Sequence, residues 1–230
     1  LAAGIAVVAL PGEEAPRDRR ELGLFTSLPI YWGESESIAE ALGDGGGAHW
    51  ARGALESDFE LTPLDTLDDP TLGRLDRLLM AQPRPLAPAE NVALDDWVRG
   101  GGRLLLFADP LLTEHSRFGL GDKRRPQDVA LLSPILRRWG LELMVDPDQP
   151  DRERTVAFGG QPVPVRLAGS WRLVGHAAGA RCRLEAESIV ARCAIGRGSA
   201  TIVSDAALLE GEREGGAAAL SALVAAALGR

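Results

Sequence analysis

Lysine is almost missing from this chain. Lys123 is the only one in 230 residues, and the remaining positive charges are arginine. With Ala, Leu and Gly abundant, that usage resembles the codon bias of a GC-rich bacterial genome. Its chemical consequence is that Schiff-base chemistry has one candidate, Lys123. Positive charge as a whole is short. The net charge of -8 argues against nucleic acid as a partner, because phosphate-backbone binding needs a basic patch. The one local basic run, Lys123-Arg124-Arg125, sits between Asp122 and Asp128 and reads as a solvated loop.

Metal and nucleophile signatures are also lacking. His49, His115 and His176 are isolated, with no HxxxH or HExxH pair, so no metal is expected. There is no G-x-S-x-G elbow, no P-loop and no G-x-G-x-x-G after a strand, so no cofactor is expected. Residues 43–47 are glycine-rich but follow a helical pattern, which does not make a phosphate cradle. Gly196-Arg197-Gly198 joins two strands and reads as a tight turn.

Long apolar runs are absent too. Residues 1–10, LAAGIAVVAL, are wholly apolar but short of the roughly 20 residues a bilayer-spanning helix needs. They read as the end of a membrane helix or signal-anchor, with residues 11–20 as a polar, proline-containing linker; the alternative is an ordinary buried first strand. The expected organisation is a membrane-proximal stub and linker over residues 1–20 and one α/β domain over residues 21–230.

The two cysteines, Cys182 and Cys193, lie in CRLEAESIVARC. A two-residue turn at Glu187-Ser188 would set Ala186 opposite Ile189 and, counting outward, Cys182 opposite Cys193. Directly opposed residues of an antiparallel pair are close enough for a disulfide. A disulfide would place the domain in an oxidising compartment; the alternative is two buried thiols packing as small apolar groups. Neither cysteine sits in a CxxC or beside a histidine, which argues against thiol catalysis.

Strand and helix signals alternate along the first two thirds. Residues 22–30, 59–64, 78–82, 103–108 and 141–145 read as strands, the continuous apolar ones as strands covered on both faces. Helical spacing appears at residues 35–42, 49–55, 88–98 and 128–139. Pro88 suits a first helical position, Gly100-Gly101-Gly102 a stop, and Pro134 a kink or a restart near Ser133. This alternation predicts right-handed βαβ units and a mainly parallel sheet flanked by helices. Residues 148–198 change texture: short strands separated by Gly and Pro predict a small antiparallel β-rich insert. Residues 199–204 are again a buried strand, and residues 220–228 a closing helix.

In such a sheet, ligands bind at the carboxyl ends of the strands, near a switch in strand order. Four ends carry polar or aromatic groups. Tyr31, Trp32 and Glu34 follow the first strand, Gln82 ends the third, Asp109 the fourth, and Asp205 the last. Converging, they would suit a sugar, a peptide or a cationic ligand. Asp109 and Asp205 could act as general acid and base if they lay within about 5–10 Å. Against both stands plain turn-capping by Asp before Pro or after a strand.

Residues 78–110, LLMAQPRPLAPAENVALDDWVRGGGRLLLFADP, resemble the auxiliary subunits of gliding-motility-type ABC transporters and related domains. The shared pattern is a strand, a proline-bearing turn, a helix, GG and a strand ending in Asp-Pro. Residues 196–210, GRGSATIVSDAALLE, resemble a glycine-flanked strand near the end of the same domains. The resemblance implies a class I glutamine amidotransferase-like fold, membrane-protein subunits as partners, and a domain outside the cytoplasm. Where true amidotransferases carry a nucleophilic cysteine after a strand, this chain has Asp109-Pro110, which removes thiol hydrolase chemistry. The expectation is therefore no enzyme: a ligand- or protein-binding, scaffolding domain of a membrane-associated assembly. The alternative is a hydrolase or carbohydrate-active enzyme using Asp109 with Asp205 or Glu34. An oligomerisation module is a third reading.

Overall fold

The computed structural model describes residues 19–33, 49–175, 178–212 and 214–229. The apolar stub, the helical spacing at residues 35–42, Glu34 and His176 lie outside the described residues. The strands are β1 (Arg20–Thr26), β2 (Phe59–Pro63), β3 (Arg77–Ala81), β4 (Arg103–Phe107), β5 (Leu141–Met144), β6 (Arg154–Phe158), β7 (Gln161–Val165), β8 (Ser170–Leu173), β9 (Ala180–Glu185), β10 (Val190–Ile195) and β11 (Gly198–Val203). The helices are α1 (Trp50–Glu56), the single turn α2 (Asp69–Leu72), α3 (Pro88–Gly100), α4 (Ser133–Arg138) and α5 (Gly216–Leu228).

The central sheet has the order β2-β1-β3-β4-β11-β10-β9. From β2 to β11 every neighbouring pair is parallel, and β10 and β9 close the sheet antiparallel. The chain leaves β1 for β2 on one side, then crosses back to β3 on the other. Strand order therefore reverses between β1 and β3, which is the switch point of this sheet.

Period-two alternation divides the apolar strands between two cores. Leu79, Ala81, Leu105, Phe107 and Val203 face α1, α5 and the β6–β7 hairpin. Leu78, Met80, Leu104, Leu106 and Ile202 face α3, α4 and the β5–β8 pair. Leu78, Leu79, Leu104 and Leu105 are fully buried, each contributing about 1.5–3 kcal/mol of transfer free energy. Asp95 ties the second core together. Its carboxylate accepts from Trp139 Nε1 at 2.8 Å, Arg99 Nε at 2.9 Å and Arg138 Nε. Burial would raise its pKa, but these donors outweigh burial and hold it low.

The glycine pairs have a packing reason. A Cβ on Gly102 would stand 2.4 Å from the Trp97 ring, and one on Gly198 would stand 2.1 Å from Val98 O and 2.3 Å from Gly102 O. The end of α3 and the start of β11 thus approach backbone to backbone, and Ser199 N donates to Gly102 O at 3.1 Å.

Several expectations are refined. Residues 27–30 are a turn and not the end of the first strand. Of residues 128–139 only Ser133–Arg138 is helical, because Pro134 sits in its first turn and residues 128–130 are held against the loop after β4. Leu112 N donates to Asp128 O at 3.1 Å and Ala130 N to Asp109 O at 2.8 Å. β5 leaves the parallel sheet and pairs antiparallel with β8. The later strands are antiparallel as read, but β9 and β10 extend the central sheet while β6 and β7 form a separate pair. The β9–β10 register sets Cys182 opposite Cys193, and the two form a disulfide. Glu187 and Ser188, at φ 57° and 68°, make the turn that fixes this register.

G198A is expected to lose about 3 kcal/mol from overpacking against backbone that cannot yield. G100A, with nothing within 4 Å of the added Cβ, is expected to be neutral or stabilising. Urea denaturation midpoints check this, and equal effects at the two positions would contradict the close approach.

Candidate functional site

The strand ends do converge, but they converge on one another. Thr26 Oγ1 donates to Ala81 O at 2.8 Å, and Ser27 Oγ to Gln82 O. Gln82 is fully buried at a left-handed φ of 44°, a conformation that a non-glycine residue holds only when its surroundings fix it. Its side chain supplies that constraint. Nε2 donates to Asp109 O at 3.0 Å and to Gln127 O at 2.8 Å, while Oε1 accepts from Asp109 N at 2.8 Å.

Asp109 and Asp205 are 1% and 2% exposed. Asp109 accepts from Leu111 N at 2.7 Å and, across the sheet, from Ala206 N at 2.8 Å. Asp205 accepts from Ala207 N at 2.8 Å and Arg166 N at 2.9 Å. Each of the four carboxyl oxygens therefore holds a backbone amide. Nearby, Glu210 accepts from Thr113 N at 3.0 Å and from its hydroxyl. Burial pushes the Asp109 carboxyl up to about 7, against the pull of its two amides and helped by the negative charge of Glu210. Burial, then the Asp109 charge, raises Asp205 well above the usual carboxylate range. The charge of one of these two aspartates thus disfavours ionisation of the other. Of the expected ligand-binding set, Gln82, Asp109 and Asp205 are thus buried and hydrogen-bonded to neighbouring backbone, and they line neither the crevice at the end of β1 nor the groove beside α5.

Tyr31 and Trp32 do line one. A crevice of about 310 Å³ opens beside residues 26–29 at the end of β1, bounded by Tyr31, Trp32, Gly33, Phe118 and Arg124. It lies on the carboxyl side of the switch point. Trp32 is 72% exposed and meets the Tyr31 ring edge-on at 4.8 Å. Tyr31 is fixed from behind by Arg52, whose guanidinium stands 4.3 Å over its ring and donates to its carbonyl at 3.1 Å. Across the crevice, Arg124 stacks 4.1 Å over Phe118 and pairs with Asp122 at 2.7 Å. Sequence reading passed over Phe118 and Arg124, taking the basic run as solvated loop. The usable signal was an aromatic and an arginine flanking Gly119 and Gly121, in the loop after a strand that ends at the carboxyl edge. Among the described residues no group of three His, Cys, Asp or Glu side chains could hold a metal ion.

Because folding raises the Asp109 pKa, the folded state holds more protons than the unfolded chain between about pH 4 and 7. The contribution of Asp109 to stability falls as pH rises through that window and levels off above it, and Asp205, also raised, acts in the same direction. In D109N one oxygen replaces two acceptors, leaving the amide of Leu111 or Ala206 unpaired, at about 1–3 kcal/mol. The stability gap between wild type and D109N should narrow from pH 4 to pH 7. Denaturation at a series of pH values measures it, and a constant gap would contradict the raised pKa.

No protein-family model matches the chain, and no curated protein matches it by sequence. Solved structures do match. An exo-β-1,4-mannosidase from Opitutaceae bacterium strain TAV5 matches at 16% identity with a TM-score of 0.55, over 90% of this chain and 36% of that one. A β-galactosidase from Bacillus circulans sp. alkalophilus matches at 14% identity with a TM-score of 0.54, over 91% of this chain and 30% of that one. A ThuA-like protein from Bacteroides uniformis ATCC 8492 matches at 10% identity with a TM-score of 0.44, over 86% of each chain. The chain spans about a third of the length of the glycosidases it matches. The likeness is one of fold, a mixed α/β domain with a mostly parallel central sheet. It overturns the expectation of no enzyme, because the solved chains that share this architecture include glycoside hydrolases. The missing thiol after β4 removes one chemistry and not enzymatic activity as a whole.

Proposed function

We propose that this chain is the ligand-binding domain, of the class I glutamine amidotransferase-like type, of a membrane-associated assembly outside the cytoplasm. The observation that carries the reading is the aromatic crevice at the switch point of the sheet. Open α/β sheets take their ligands there, because diverging connections leave a gap outside the strand ends. The Cys182–Cys193 disulfide supports an oxidising compartment. Residues 78–110 and 196–210, which carry the resemblance to transporter auxiliary subunits, supply β3, α3, β4 and β11 at the centre of the sheet. No helix of the described residues is long and apolar enough to cross a membrane, so attachment rests on other segments or subunits.

Saccharides are the first ligand class to test. An exposed indole braced edge-on by a second ring offers a flat apolar surface to the C–H face of a sugar, and Arg124 offers donors to its hydroxyls. The glycosidases of similar fold point to the same class.

A second reading, hydrolysis by Asp109 with Asp205, is favoured by their raised pKa values. It requires that part of the strand edge to open, since both carboxyls are buried and hydrogen-bonded at both oxygens. Tryptophan-fluorescence titration with mannose- and galactose-containing oligosaccharides tests both readings. W32A should weaken binding about tenfold or more, and D109N should leave it intact. Turnover of chromogenic glycosides by wild type that D109N abolishes would establish the second reading; binding indifferent to W32A would overturn the first.

A further inference from the structure

A second concave surface lies away from the crevice, where the outer antiparallel strands meet α5. The registers Arg192↔Arg183, Ala194↔Arg181, Arg192↔Thr201 and Ala194↔Ser199 put these side chains on one face of the sheet. With Ala226 and Ala227 of α5 they line a groove of about 450 Å³. In a chain of net charge -8, this face gathers Arg181, Arg183 and Arg192.

Like charges directly opposite in a sheet repel, so Arg183 facing Arg192 calls for negative charge nearby. Glu185 supplies part of it, binding Arg183 Nε at 2.7 Å. It falls short at Arg192. Arg192 Nε is buried without a hydrogen-bond acceptor, its closest Glu185 oxygen standing 3.5 Å away. The Arg192 side chain as a whole is 27% exposed and lines the groove, so the outer nitrogens of its guanidinium can meet an anion there. The guanidinium is already positioned, 4.9 Å over the Phe158 ring. Arg181 is exposed at the rim.

Edge strands often carry charge simply to prevent pairing with another chain. That role needs neither a cavity nor a third arginine set on the inner neighbouring strand, and this face has both. The negative end of α5 does not oppose an anion here, because Arg77 Nε and Arg103 cap its last carbonyl, Leu228 O, at 3.2 and 2.9 Å.

We propose that the groove between β9, β10 and α5 binds a phosphate group through Arg181, Arg183 and Arg192, with the hydroxyls of Ser199 and Thr201 as further donors. Among the described residues the carboxylate paired with these three arginines is that of Glu185, which leaves two positive charges. That matches a phosphomonoester, which carries about -1.5 to -2 at neutral pH and presents three strong acceptor oxygens. Guanidinium forks suit such an oxyanion because they bind it in pairs of parallel hydrogen bonds. The phosphate could belong to a soluble ester or to a lipid headgroup.

Calorimetric titration of the full chain with inorganic phosphate at low salt tests this. Saturable binding is expected, weakened about fivefold in R181S and about tenfold in R192Q, and unchanged in R137S, whose arginine lies on another surface. R181S alters an exposed side chain, so it keeps the test decisive even if R192Q folds poorly. Absence of saturable binding, R181S binding as wild type, or R137S weakening as much as R181S would each overturn the proposal. Co-sedimentation with phosphatidic acid vesicles, compared with phosphatidylcholine vesicles, then assigns the source. Capture that R181S loses identifies a lipid phosphate; calorimetric binding without capture identifies a soluble one.

Discussion

The carboxyl edge of the sheet is held shut by hydrogen bonds from side chains to the backbone of the neighbouring strand end. Thr26 and Ser27 fasten β1 to β3, Gln82 fastens β3 to β4, Asp109 fastens β4 to the segment after β11, and Asp205 fastens that segment to Arg166. Each link pairs a backbone group that would otherwise be buried unsatisfied where a strand stops. The carboxylates are the costly members, since burial favours their neutral forms. Each of their oxygens accepts from a backbone amide of the turns that they cap, which offsets part of that cost.

This closure limits which part of the carboxyl edge is open among the described residues. Between β3 and β11 the edge is filled by Gln82, Asp109 and Asp205, with residues 127–130 laid across it. Among the described residues the edge opens toward β1, where residues 26–33 face Phe118 and Arg124 across a crevice. Aromatic and guanidinium groups gather at that opening, while the carboxylates that drew attention in the sequence lie buried beside it. The same closure bears on catalysis: a reaction at Asp109 would first have to release Leu111 or Ala206.

Much of the architecture was legible in the sequence. The fully buried strands at residues 78–82 and 103–108 announced themselves as unbroken apolar runs between turn signals, as a parallel sheet covered on both sides requires. The opposition of Cys182 and Cys193 followed from counting outward from Glu187-Ser188, whereas the choice between a disulfide and two buried thiols did not. The pairing of β5 with β8, and the place of β9 and β10 in the central sheet, were not legible, because a short strand's pattern records which face is buried and not which sheet it joins. Asp109 and Asp205 were correctly placed at strand ends. Whether their oxygens would face solvent or backbone amides depends on Leu111, Ala206, Ala207 and Arg166, whose donors carry no sequence signature. Phe118 and Arg124 were missed because a cation stacked on a ring looks like an ordinary charged loop until the fold brings that loop to the edge of the sheet.

Native-state hydrogen exchange at the amides of Leu111, Arg166, Ala206 and Ala207 tests the closed edge most directly. If Asp109 and Asp205 are structural locks, these amides exchange only through global unfolding, as slowly as those of β3 and β4. Exchange through local opening, at rates like those of residues 118–124, would contradict the account and return the two carboxyls to the active-site reading.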